Sequence, residues 1–127
     1  MDVYQTHGAF SWSELATADP AAAVAFYGSL FGWKAEAMDM GSGAYHVVKI
    51  GDNAIGGIMC QPPGSEGRAS AWGCYVTVDD IDATVARCAE LGGTVCMPPM
   101  EIPGVGRMAV LQDPQGAVFN AITYSSR

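Results

Sequence analysis

Thr17-Ala18-Asp19-Pro20, leading through an Ala-rich stretch to Leu30-Phe31-Gly32, decides the fold, because the chain repeats it. Thr77-Val78-Asp79-Asp80 opens a second such stretch, which ends at Gly92. Residue 77 stands to residue 17 as residue 92 stands to residue 32, an offset of 60. Farther on, Ala54-Ile55-Gly56-Gly57-Ile58 matches Ala117-Val118-Phe119-Asn120-Ala121 at an offset of 63, each after a short turn (Gly51-Asp52-Asn53 and Asp113-Pro114-Gln115-Gly116). A duplicated unit builds a pseudo-symmetric site from equivalent positions of its copies, so the repeat predicts which residues line it.

Within the first copy, Phe10–Thr17 alternates in character and predicts a strand, with Trp12 and Glu14 on one face. Asp19 is a good N-cap, Pro20 suits the first helical position, and Gly32 stops a helix over Pro20–Phe31 whose apolar stripe is Val24, Tyr27, Leu30 and Phe31. Strands follow over Lys34–Met38, Tyr45–Ile50 and Ala54–Met59. The second copy predicts a strand over Trp72–Val78, a helix over Ile81–Leu91 capped by Asp79 or Asp80 and stopped by Gly92-Gly93, then strands over Thr94–Met97, Arg107–Leu111 and Ala117–Tyr124. Residues 61–70 read as a linker between modules at about 8–60 and 71–124, and Pro98–Gly106 as a Pro/Gly-rich loop. The expected class is α+β: two tandem βαβββ modules in a single domain over residues 1–127, forming cupped mixed sheets with helices on the outer face.

Composition bounds the function. A chain of 127 residues with 50% hydrophobic content can bury a substantial core. Thirteen acids against six bases leave a net charge of −7, which argues against a nucleic-acid partner. No apolar run reaches the ~20 residues of a membrane span, and the polar start is no signal peptide, so a cytoplasmic location and no membrane partner are expected. Cys60, Cys74, Cys88 and Cys96 form no C-x-x-C pair and read as buried, reduced thiols. Gly41-Ser42-Gly43 precedes a strand rather than opening a helix, which excludes a phosphate-binding loop.

A duplicated βαβββ unit carrying Asp19-Pro20, Phe26-Tyr27, Leu30-Phe31-Gly32-Trp33, Val78-Asp79-Asp80, Leu91-Gly92-Gly93 and Asp113-Pro114-Gln115-Gly116 resembles the vicinal oxygen chelate superfamily, which includes glyoxalase I, extradiol dioxygenases and bleomycin-binding proteins. The resemblance runs from about residue 8 to 124. It implies a divalent metal in the cup of the sheet, held by His or Gln from the first strand of each unit and Glu from the last. Those positions fall here on Trp12, on Gly73 (or Trp72 if the internal repeat sets the register), on Gly57 and on Asn120. Trp and Gly cannot ligate a metal and Asn is a weak ligand, so no metal cofactor is expected. The alternative is a relocated divalent ion on His46, Glu14 and Glu101.

The remaining candidates are mostly aromatic. Phe10, Trp12, Glu14, Tyr45, Gly57, Trp72, Tyr75 and Asn120 are expected to line a pocket for a small hydrophobic or aromatic molecule, with Met59, Met97, Met100 and Met108 nearby. Trp12 and Trp72 could equally plug the cup. Phe31, Trp33 and Phe119 are expected to pack toward the helices. Glu14 is either a catalytic base or a carboxylate hydrogen-bonded to backbone or to an indole N–H. For a bleomycin-type ligand the candidate acids are Glu14, Asp39 and Glu101. The resulting expectation is a metal-free binding protein, with a metal-dependent or Glu-based lyase, isomerase or dioxygenase as the alternative. By analogy with the superfamily, the chain is expected to form a homodimer.

Overall fold

The computed structural model describes residues 1–39, 44–61 and 69–125. Gly41-Ser42-Gly43, most of the expected linker and the side chain of Asp39 lie outside the described residues. In chain order the elements are β1 (Phe10–Thr17), α1 (Pro20–Phe31), β2 (Lys34–Asp39), β3 (Ala44–Ile50), β4 (Asn53–Cys60), β5 (Ala71–Thr77), α2 (Ile81–Glu90), β6 (Thr94–Ile102), β7 (Gly106–Gln112) and β8 (Val118–Tyr124). This is the βαβββ order twice over, in an α+β protein.

Two compact units form: Trp12–Gly73, the first, and Met1–Ser11 with Cys74–Arg127, the second. In the first unit the strand order is β2-β3-β4-β1, with β1 parallel to β4 and the other pairs antiparallel. Asp19 caps α1 by accepting from the Ala22 amide at 3.1 Å, and Gly32 ends the helix in the left-handed region at φ 77°. The inner face of α1 (Ala23, Val24, Tyr27) and Trp33 cover a core of Leu15, Val48 and Ile58. Leu30 and Phe31, expected on that inner stripe, are exposed. The side chains that reach the sheet are those at 23, 24 and 27.

The second unit repeats the order as β5-β8-β7-β6. Asp80 supplies the α2 cap, accepting from the Ala83 amide at 3.2 Å. Ile81, Val85 and Cys88 pack with Val78, Val95, Ala109, Leu111, Phe119 and Ala121. Asp82 receives two hydrogen bonds from Arg107, at 2.9 and 3.1 Å, which tie α2 to β7. The first residues of the chain belong here too. Thr77 Oγ1 donates to Val3 O at 2.6 Å, the Gly8 amide donates to Thr77 O at 2.7 Å, and Ser11 shares a 2.7 Å hydrogen bond with Tyr124. Burial pushes the Tyr124 phenol pKa up, which keeps it protonated and able to donate.

Two expectations need correction. The loop expected from Pro98 is instead the continuation of β6 to Ile102, paired with β7 through register irregularities between Val95 and Met100. Because β6 is the edge strand of its unit, Pro98 and Pro99 leave no central ladder bond unmade. The cysteines are free, but Cys60, Cys74 and Cys96 are exposed and only Cys88 is half-buried. Cys60 ends its strand and Cys96 sits at a register shift of β6.

Candidate functional site

The open face of the first unit, opposite α1, gathers four of the expected residues. Strand alternation fixes which ones. Leu15 points to the helix side, so its neighbours Glu14 and, two positions back, Trp12 point away from it. On β3, Val48 belongs to the same core, which puts Tyr45 and Val47 on the open face. Gly57 pairs with Glu14 on one side and Val47 on the other.

Tyr45 connects them. Its ring lies directly over Gly57, so closely that a β-carbon there would overlap the phenol. From that position its hydroxyl accepts from the Trp12 indole N–H at 2.9 Å and donates to Glu14 Oε2 at 2.8 Å. The phenol uses its donor and one acceptor site at once, and each bond orients the others. The phenol is a partner of Glu14 that the sequence did not suggest, and the Trp12 indole reaches the same hydroxyl. No spacing in the sequence pairs residue 45 with residues 12 and 14. The available signal is a glycine in mid-strand, which often marks the close approach of another group.

The other candidates are placed elsewhere. Trp72 is on the helix side: its indole donates to Tyr27 Oη on α1 at 3.1 Å, and its ring meets those of Tyr27 and Trp33 edge-on at 5.4 and 6.0 Å. The expectation that Trp72 lines or plugs the cup is therefore corrected. Gly73 stands on the opposite parity, with Tyr75 and away from Val76, which pairs with the core residue Ala121. Tyr75 and Asn120 are register partners on the face of the second unit opposite α2. Tyr75 is buried, and Asn120 donates to Cys74 O at 3.3 Å. Phe10 is 72% exposed and belongs to the second unit.

His46 and Glu14, the two members of the alternative metal triad that lie in the first unit, are not brought together. His46 shares its parity with Val48 and pairs with Ile58, which sets it on the helix side, across the sheet from Glu14. Glu101, in the second unit, faces Arg107 at 3.6 Å. Among the described residues, no three His, Cys, Asp or Glu side chains come together as a metal-binding group.

The second unit has a cavity of about 580 Å³ beside α2, which the sequence did not single out. Val78, Leu111, Phe119 and Leu91 give it apolar walls. Two of its acids have structural work: Asp80 caps α2, and Asp113 accepts from the amides of Gln115 and Ala117.

Comparison with known proteins gives the family. The family model of the Glyoxalase/Bleomycin resistance protein/Dioxygenase superfamily matches residues 9–120. The chain belongs to that superfamily. Among members of this glyoxalase superfamily, the protein CFP32 of Mycobacterium tuberculosis, which carries the name glyoxylase, is 44% identical over 116 residues. The match covers 91% of this chain and 44% of CFP32. The anthracycline biosynthesis protein DnrV of Streptomyces peucetius is 38% identical over 125 residues, covering 88% of this chain and 46% of its own. The chain thus spans about half the length of these curated relatives. In structure, methylmalonyl-CoA epimerase from Streptomyces coelicolor, solved with 2-nitronate-propionyl-CoA, aligns at TM-score 0.69 and 16% identity over 95% of this chain and 97% of the epimerase. At that identity the likeness is one of fold. Among the described residues, no helix of this glyoxalase-superfamily chain is long and apolar enough to cross a membrane.

Proposed function

We propose that this chain binds a small hydrophobic or aromatic molecule on the open face of its first unit, without the divalent metal used by other members of the superfamily. The observation that carries this reading is the Trp12–Tyr45–Glu14 chain of hydrogen bonds laid over Gly57. Two large aromatic rings with fixed orientation offer apolar contact area, and the carboxylate beside them attracts a donor or a cationic group on the ligand. The superfamily's metal does not fit these residues. An indole N–H is a donor only, Gly57 and Gly73 have no side chain, and Asn120 is a single neutral amide. The Tyr45 ring fills the space into which a carboxylate at position 57 would project.

The relative named for anthracycline biosynthesis supports a planar, polycyclic aromatic ligand class. Calorimetric titration against a panel of planar aromatic compounds, an anthracycline among them, tests the reading. One of them is expected to bind, and Tyr45→Phe or Glu14→Gln to weaken it about tenfold, or ~1.4 kcal/mol. A panel without a binder, or variants that bind like the wild type, would refute it.

A second reading rests on the 2.8 Å contact between Tyr45 and Glu14. A carboxylate oriented by a phenol is placed to take a proton from carbon, as an isomerase or lyase requires. In that case Glu14→Gln stops deuterium uptake from D2O into a bound ligand while leaving ligand affinity intact. Uptake at an unchanged rate would remove Glu14 from that role.

A further inference from the structure

The cavity beside α2 has no part in the site proposed on the first unit, and the residues that line it all belong to the second. Along α2 it follows one stripe, Ala83, Thr84, Arg87, Cys88 and Leu91, whose spacing keeps these positions on a single side of the helix. From Ala83 to Leu91 the stripe is about 12 Å long by the rise of an α-helix. Opposite it stand Val78, Leu111 and Phe119, with Pro114 from the turn between β7 and β8. Gly93 lies at the end where α2 stops. A β-carbon there would collide with Cys88 Sγ, so the bare glycine leaves the thiol its place in the wall.

The charges around this apolar trough are mostly of one sign. Asp79, Asp80 and Asp113 bring three carboxylates. Those of Asp80 and Asp113 are turned to backbone amides, whereas the Asp79 side chain is 67% exposed where α2 begins. His7, beside it, accepts from the Asp79 amide at 3.0 Å through Nδ1. That nitrogen carries no proton in such a bond, so the ring adds no positive charge. Among the described residues the lining holds one cation, Arg87, whose guanidinium lies 3.4 Å from Glu90.

We propose that this cavity is a second binding site, for a small amphiphile that joins one protonated amine to an apolar body as long as the trough. The amine lies at the Asp79 carboxylate, and the body runs along α2 to Cys88 and Leu91. Charge complementarity selects this class. An anionic amphiphile would bring its charge among three carboxylates in a chain of net charge −7. An uncharged one of the same length gains the apolar contacts without the attraction.

Alkylation of Cys88 by iodoacetamide, followed by peptide mass spectrometry, reads the site directly, because the thiol lines its wall. Saturating n-decylamine, kept below its micellar range, is expected to slow that reaction about tenfold while the exposed Cys60 and Cys96 react as before. Half-protection by n-decanoate should need a concentration about tenfold higher. Asp79→Asn keeps the amide that His7 accepts from and removes the charge. It should raise the amine concentration for half-protection about threefold, the scale of one exposed ion pair. Ala83→Trp fills the trough from an exposed helical position and is expected, in calorimetry, to bind one amine fewer per chain with an unchanged circular dichroism spectrum. A Cys88 rate indifferent to decylamine would overturn the proposal. So would decanoate that protects as well as the amine, Asp79→Asn protected at the wild-type concentration, or Ala83→Trp with the wild-type stoichiometry.

Discussion

Tyr45 lies across Gly57, and the absence of a side chain at residue 57 is what lets the phenol reach both Trp12 and Glu14. Gly57→Ala places a methyl group inside the Tyr45 ring, so the ring must leave. Overpacking of this kind costs about 1–3 kcal/mol. Thermal denaturation should show a lowered Tm, with Tyr45→Ala in the same chain recovering part of the loss because it removes the collision. Strict additivity of the two substitutions would mean that the residues are not coupled.

Removing the hydroxyl alone probes the bonds rather than the packing. Tyr45→Phe keeps the ring over Gly57 and deletes both hydrogen bonds, each worth about 0.5–1.5 kcal/mol net. Stability is expected to fall by about that order. In a Trp33→Phe, Trp72→Phe background, the emission of Trp12 should shift as its N–H loses the phenol. An emission spectrum indifferent to Tyr45→Phe would place the indole elsewhere in solution.

The two helix caps offer a test of the duplication. Asp19 and Asp80 make the same contact, from the carboxylate to the amide three residues on, at 3.1 and 3.2 Å. Asp19→Ala and Asp80→Ala should each cost about 1 kcal/mol in chemical denaturation, within the 0.5–2 kcal/mol range of cap losses. A cost confined to one of them would show that the caps are not equivalent.

The pairing of Asp82 with Arg107 makes stability depend on pH. The Arg107 guanidinium holds the Asp82 carboxyl below its ordinary value of 3.8. A lowered folded-state pKa means that the contribution is fully present above the unfolded value and is lost as pH falls through the lower folded value. The Tm difference between wild type and Asp82→Asn should therefore be constant from pH 7 to about 5 and shrink toward zero below about pH 3.8. A difference that grows on acidification would reverse the sign of this account.

What the sequence made legible was local. Asp19, Pro20 and Gly32 fix the ends of α1 by short-range capping and turn chemistry, and β1 and α1 have the expected bounds, Phe10–Thr17 and Pro20–Phe31. Trp33 and Phe119 pack beside the helices as their places in the pattern indicate. What failed was decided by partners distant in the chain. Trp72 was matched to Trp12 by the internal repeat, but a shift of one residue along a strand exchanges its faces, and the core position of Val78 puts Trp72 on the helix side. Pro98 and Pro99 read as loop because local rules exclude proline from strands. Only the strand order shows β6 to be an edge. The meeting of Tyr45 with Trp12 and Glu14 spans 33 and 31 positions, and no periodicity encodes it.

The second unit draws on both ends of the described chain. Its first residues find partners very far along: Val3 with Thr77, 74 positions on, and Ser11 with Tyr124, 113 positions on. The first unit is one uninterrupted stretch, Trp12–Gly73. During synthesis that stretch has all its residues available while Ser11 still waits for Tyr124 on β8. An order of assembly is therefore built into the connectivity: Trp12–Gly73 can acquire structure before Val3 and Ser11 find Thr77 and Tyr124.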